Sequence, residues 1–281
     1  MSAAHTKLEF HAVREGSTDC LAILVLNRPS HANSFSAQMM EEITFHLETV
    51  GRRDDCRCLL ITGAGRHFSG GADLSWMQAS AKLSYNENIK DAARLTSMFE
   101  SVYHLEIPTV AAIRGAVYGG ALGLIACCDF AVAHDQARFC LSEAKLGLLP
   151  AVIMPYLARK MRPGQLRRHS LTGRIFSALE AQQYGLIEVI AGDDFSAVLR
   201  QELNNVLSCG PDAQRAIKSL LDRLRGDQFP QSDITQQAIS KARSGVEGQA
   251  GLAAFFNKTP APWLASIPNQ LVPDASSLPL T

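Results

Sequence analysis

Two glycine-rich stretches hold the residues of this chain whose types and spacing best suit chemistry. The first runs from Leu59 to Met77, LLITGAGRHFSGGADLSWM, and the second from Arg114 to Asp129, RGAVYGGALGLIACCD. Three chemistries fit a glycine turn at the mouth of a helix. A dinucleotide loop would begin at Gly63-Ala64-Gly65, but its third glycine falls on Phe68 and no Walker lysine follows. A nucleophile elbow around Ser69 has Gly71 two residues on, but His67 stands where the preceding glycine is required. His67 is expected to serve a turn or the surface instead. The third chemistry is an oxyanion hole, in which fixed backbone N–H groups meet a developing negative charge in a dry pocket. Glycine lets the main chain approach a ligand closely and adopt positive φ, and a helix N-terminus adds a favourable dipole. A Gly-Gly pair serves close helix packing equally well, so the residue types alone leave both roles open.

These turns need elements to position them. Leu21–Leu26 is a short apolar run that predicts a buried strand, and Ser34–Arg52 carries Met40, Ile43, Leu47 and Val50 at helical spacing with Ser34 or Ser36 as N-cap. Cys58–Thr62 reads as the next strand, so the order implies a right-handed crossover in a parallel sheet. The helical period returns over Asn86–Leu105. Strands follow at Thr109–Ile113 and Asp129–Ala133 around a helix at Gly119–Cys127, with a short fifth strand at Arg138–Leu141. Beyond Pro155 the chain reads as helices at Leu166–Leu171, Ser177–Tyr184, Phe195–Ser208, Ala213–Leu224 and Ile234–Phe256, punctuated by Gly and Pro. The fold class is α/β. A core region over 1–200, a helical region over 201–258 and a Pro/Ser-rich tail over 259–281 are expected.

Composition excludes several function classes. A chain of 281 residues with 47% hydrophobic and 19% charged residues suits a globular enzyme. Lys+Arg equals Asp+Glu, so no basic excess points to nucleic acid or a membrane surface. The seven cysteines have neither a disulfide-framework spacing nor a zinc-ligand spacing; reduced core cysteines and no metal are expected. No apolar run reaches the ~18 residues of a membrane span, and the N-terminus lacks the apolar stretch of a signal peptide. A cytoplasmic location is expected.

The stretches HFSGGADLSWM, IRGAVYGGALGLIACCDFAVA and ARFCLSEAKLGLLPAVIMPYLAR strongly resemble the crotonase (enoyl-CoA hydratase/isomerase) superfamily. LNRPSHANSFS, LTGRIFSALEAQQYGLIEVI and EGQAGLAAFFNK extend the resemblance over about residues 8 to 258. It implies a spiral of ββα turns followed by a helical region that forms homotrimers, often paired into hexamers. It implies a CoA thioester as substrate and no cofactor. By position in the motifs, the oxyanion donors are the N–H groups of Ala72 and Gly120, which would hold the thioester carbonyl. Hydratases of the superfamily commonly use two glutamates. The first position is Gly123 here; the second is Glu143, so one catalytic carboxylate remains. A lone Glu can act as base and acid in turn if its pocket raises its pKa.

The missing side chain at Gly123 is expected to widen the acyl pocket. GGALGLIACCD and the Ala151-Val152-Ile153-Met154 stretch look most like bacterial hydratases of 3-methylglutaconyl-CoA or isohexenylglutaconyl-CoA, from leucine or acyclic terpene degradation. Lys145, Arg138 or a neighbouring subunit would meet the distal carboxylate. For CoA, the resemblance points to Arg28, Ser30 and Ala32, to Gly70, Gly71, Asp73 and Leu74, and to Phe255 and Lys258 on the last helix. Trp76 and Tyr118 are expected in the core or beside the acyl chain. A Δ3,Δ2-enoyl-CoA isomerase using the same Glu143 is the nearest alternative. A non-catalytic acyl-CoA or RNA binder on the same fold is the alternative of another class.

Overall fold

A computed structural model describes residues 4–14, 16–224, 236–237, 239, 241–242 and 244–265. Two sheets are laid down alternately. The large sheet has the order β1 (Thr6–Ala12), β2 (Cys20–Leu26), β3 (Cys56–Gly63), β4 (Thr109–Ile113), β6 (Phe130–His134), β9 (Val189–Ala191). Only β1 runs antiparallel to its neighbour; the other pairings are parallel. The small sheet joins β5 (Ala116–Tyr118), β7 (Arg138–Cys140) and β8 (Phe176–Ser177). Single parallel bridges, Phe35 with Ala72 and Ser69 with Val117, continue its pattern.

Each pass of the chain thus gives a long strand, a short strand or bridge, and a helix. The helices that follow the long strands are α1 (Ala37–Gly51), α2 (Leu74–Ser80) with α3 (Tyr85–Tyr103), and α4 (Gly120–Cys127). Then come α5 (Met154–Lys160), α6 (Pro163–Thr172), α7 (Ala178–Tyr184), α8 (Phe195–Leu207), α9 (Pro211–Arg223) and α10 (Val246–Asn257). This is the spiral of ββα turns that the family resemblance implies.

The strand sequences explain the layering. On β2, Ala22, Leu24 and Leu26 face the main core while Leu21 and Ile23 face a second cluster on the other side. On β3, Leu59 and Ile61 face the first while Cys58 and Leu60 face the second. Period-two alternation in which both phases are apolar makes a sheet that must be covered on both faces. One face is covered by α1, α3 and α4. Residues 121–127 of α4 are all buried, so this helix is apolar all round because it lies inside the protein. The other face is covered by Phe195, Leu199, Leu203 and Leu207 of α8.

Several expectations change. The boundary at 200/201 falls inside the continuous helix α8, which belongs to the core it covers. The helix expected over Ile234–Phe256 is interrupted at Gly245, whose extended backbone caps α10; residues 234–235 lie outside the described set. Of the tail expected over 259–281, residues 266–281 lie outside it as well. All seven cysteines are free, and only Cys209 is exposed. Among the described residues no helix is long and apolar enough to cross a membrane.

Candidate active site

The two glycine turns lie side by side. Phe68 N–H donates to Arg114 O at 2.8 Å, Ser69 N–H to Ala116 O at 3.1 Å and Tyr118 N–H to Ser69 O at 3.1 Å. The contact tightens at Gly71, which has φ +92°; a Cβ there would stand 2.7 Å from Tyr118 O and 3.7 Å from Gly119 N. Gly119 has φ +54° and caps α4, with its own N–H donated to Cys140 O at 2.9 Å. What remains is a pair of half-buried donors. Among the described residues neither the Ala72 N–H nor the Gly120 N–H finds a protein acceptor. A buried or half-buried N–H without a partner is costly unless a ligand or water completes it. Gly120 is the first residue of α4, so its N–H also sits at the positive end of the helix dipole.

The first turn is held by a loop that the sequence reading credited to CoA. Arg28 donates from Nη1 to Asp73 Oδ2 at 2.9 Å and to Ser34 O at 2.8 Å. Asp73 in turn accepts from the N–H groups of Ser75 and Trp76, capping α2. Burial alone would push the Asp73 carboxyl up, but the Arg28 guanidinium and these N–H donors bring it below the ordinary carboxylate value. Ala32 has φ 47°, and its carbonyl accepts from Gly70 N–H at 2.7 Å. Arg28, Ala32, Gly70 and Asp73 therefore form one clamp on the turn that bears Ala72. The Arg28 head group is committed inside it.

Asn33 completes the clamp and is missing from the sequence reading. Fully buried at φ 52°, it donates from Nδ2 to Ala64 O at 2.9 Å and to His67 O at 2.8 Å, and accepts Arg28 N–H on Oδ1 at 2.8 Å. Asn tolerates the left-handed region and carries both donor and acceptor; its place in SHANSFS was the available signal. His67 serves the turn as expected: its Nδ1 accepts from Ala116 N–H at 3.1 Å. Ser30 and Leu74 are exposed, Ser30 with its hydroxyl 3.0 Å from His31 Nδ1.

Glu143 meets the second turn. It opens a 3-10 turn, Glu143–Leu146, and its Oε1 lies 3.2 Å from where a Cβ on Gly119 would be. Its Oε2 is buried with no hydrogen-bond partner, and burial pushes its pKa above the ordinary carboxylate value. The expectation for Gly123 is overturned. A Cβ there would overlap Ile153 Cγ2, stand 2.7 Å from Ile153 Cβ and lie 3.1 Å from Phe99 Cζ. The absent side chain leaves no widened pocket, because Ile153 already fills that volume.

The model of the enoyl-CoA hydratase/isomerase family matches residues 16–266. The chain belongs to that family. A putative enoyl-CoA hydratase of Thermus thermophilus is 30% identical over 243 residues, covering 85% of this chain and 96% of the relative. Among solved structures, an enoyl-CoA hydratase from Shewanella pealeana superposes with a TM-score of 0.86 at 37% identity, covering 92% of this chain and 96% of that one. Pseudomonas aeruginosa AtuE superposes with a TM-score of 0.84 at 30% identity, covering 92% and 99%. The protein is an enzyme of the hydratase/isomerase type.

For such an enzyme the described chain brings together Ala72, Gly120 and Glu143, with Gly70, Gly71 and Asp73 shaping the first turn. It does not bring Phe255 and Lys258 to them. Phe255 is exposed on α10, Lys258 is the left-handed cap of that helix, and α10 packs on α9 and Trp263. Trp76 packs against the main core with Nε1 buried and unpartnered, and Tyr118 lies half-buried in β5. Lys145 lays its alkyl stem over Gly173. Arg138 spends Nη1 on Ala137 O at 2.9 Å.

Proposed function

We propose that this enzyme reversibly adds water across the α,β double bond of a 3-branched glutaconyl-CoA thioester, 3-methylglutaconyl-CoA or isohexenylglutaconyl-CoA. The thioester oxygen accepts from Ala72 N–H and Gly120 N–H, which takes up charge as the enolate forms. Glu143 removes a proton from water as the oxygen bonds to the β-carbon. It then gives that proton to the α-carbon as the enolate collapses, so one carboxyl serves as base and acid in turn. The observation that carries this reading is the half-buried Glu143, with its Oε2 shut off from solvent without a donor, its pKa raised by burial and its Oε1 set against the second glycine turn. A glutaconyl substrate brings the carboxylate that the site lacks, and that group helps to hold the water. Lys145 is the favoured partner for the distal acid: it is two residues from Glu143, and among the described residues its ammonium has no partner.

The test is a panel of crotonyl, 3-methylcrotonyl, 3-methylglutaconyl and isohexenylglutaconyl thioesters, followed by loss of the conjugated absorbance. The diacid thioesters should react fastest. Equal rates for 3-methylcrotonyl-CoA would sink the substrate assignment. The Ile153 side chain packed against Gly123 favours a second reading, a Δ3,Δ2-enoyl-CoA isomerase, in which Glu143 moves a proton along the chain without water. Deuterium entering the acyl chain with no hydrated product would select it. We place the enzyme in the cytoplasm as a homotrimer or a pair of trimers. The exposed Leu146, Leu148, Leu149, Leu171 and Ile175 offer apolar surface for that assembly, which sedimentation tests.

A further inference from the structure

Gly120 and Gly123 lie one helical turn apart on the same face of α4. The residues across from them define what lies beside the oxyanion donor. A Cβ at Gly120 would stand 3.4 Å from the Phe35 ring and 3.9 Å from Phe99 Cζ; at Gly123 it would meet Phe99 again and run into Ile153. Phe99 spans both positions, so Ile153 sits on the face of α4 that bears the donor, about 4.5 Å further along the axis. Ile153 is 2% exposed. It caps α5, its carbonyl accepting from Tyr156 and Leu157. The segment that delivers Glu143 therefore delivers Ile153 as well, ten residues on, and its β-branched side chain is stiff at χ1.

We propose that Ile153 is the specificity-determining residue of this site: its Cγ2 methyl and the bare Gly123 together form a dry wall beside the acyl chain. The wall excludes water and any second acid–base group from the α4 side. Glu143 is then the group through which protons pass, and a substrate must bring its own polar group to hold the attacking water. This rests on the hydratase reading above. The wall belongs to two positions at once. A carboxylate at 123 cannot enter while Cγ2 is in place, and removing Cγ2 alone opens the wall without supplying a base.

The experiment compares kcat/KM for 3-methylglutaconyl-CoA and 3-methylcrotonyl-CoA in the full-length wild type, Ile153→Leu, Ile153→Ala, Gly123→Glu and the double variant Gly123→Glu/Ile153→Ala. Ile153→Leu removes Cγ2 but keeps the volume, so it preserves the fold if the alanine variant does not. Both Ile153 variants should cut the preference for the diacid at least fivefold by admitting water. Gly123→Glu alone should be inactive or unfolded. The double variant should fold, hydrate the monoacid at least tenfold faster than wild type and show a second ionisation in its pH profile. A wild type without diacid preference would overturn the substrate reading. A wild type with that preference, unchanged within twofold in both Ile153 variants, would overturn the wall. A soluble, active Gly123→Glu single variant would do the same.

Discussion

A carboxyl group that must take and give a proton near neutrality needs an environment that penalises its charge, and Glu143 has one. Its Oε2 is buried without a donor, and burial raises its pKa. A raised pKa moves the acid limb of hydration upward: kcat/KM should fall as pH drops through a value above the ordinary carboxylate range. Glu143→Gln should remove that limb, keep thioester binding and cost about 10²–10⁴-fold in kcat. Retained hydration in this variant would remove Glu143 from the chemistry. The His67 pKa shifts the other way, and its effect is on stability. Burial, aided by Arg66, lowers its pKa below 6.5, and its Nδ1 must stay unprotonated to accept from Ala116. The folded state thus binds fewer protons than the unfolded one in this range. Its stabilising contribution is present above 6.5 and is lost as pH falls through the folded pKa. A titration of the melting temperature should show the loss, and His67→Gln should remove it. Glu143 was legible from its motif. Ile153 was not, because a glycine announces that a side chain is missing but not that a residue thirty positions later fills the space.

At the scale of elements, the site is a matter of two turns kept in contact. Gly71 is the closest point: φ +92° and the nearby Tyr118 carbonyl leave no room for a methyl group. Gly71→Ala should push the turns apart and lower kcat by about 10²-fold, in line with losing one oxyanion donor. An Ala72 amide signal that moves with an unreactive thioester in wild type, but not in the variant, would confirm the cause. Asn33 acts on the same loop from behind. Asn33→Ala strands the carbonyls of Ala64 and His67 and should cost about 1–3 kcal/mol of stability; chemical denaturation checks it. Most elements were readable because their apolar residues follow one period. Thr109–Ile113 is a strand in the sequence and in the fold, and Ser36 caps α1 through Met39 N–H. The elements that escaped are those without such a period. β1 is an antiparallel edge strand in which only Thr6 is fully buried and the other residues are half-buried or exposed, so no apolar run announces it, while β5, β8 and β9 have three residues or fewer and exist only through their partners.

At the scale of the whole molecule, the C-terminal region is tied to the sheet by one buried cation. The Arg57 side chain, 2% exposed, leaves β3 and donates from Nη1 to Asp19 Oδ2 at 2.9 Å and to Trp263 O at 3.2 Å. Its Nη2 donates to Cys209 O at 2.9 Å and to Leu207 O at 3.4 Å. One guanidinium therefore joins the strand that leads into the first glycine turn, the end of α8 and the segment after α10. Glu247 adds a second tie, accepting the N–H groups of Asp212 and Ala213 at the start of α9 at 2.8 Å each. Carbonyls that face a buried cation have no other donor once it is gone, whereas Asp19 is partly exposed and can turn to water. Arg57→Met keeps much of the volume and removes the charge. It should cost about 3 kcal/mol, near the low end for breaking a buried ionic cluster. The loss should be uneven. Amide exchange should quicken first over residues 257–265, while β4 and α4 keep their protection, because those elements are covered by other side chains. A uniform rise in exchange, with no lead from the C-terminal segment, would mean that α10 is held by its packing on α9 and that Arg57 serves only the core.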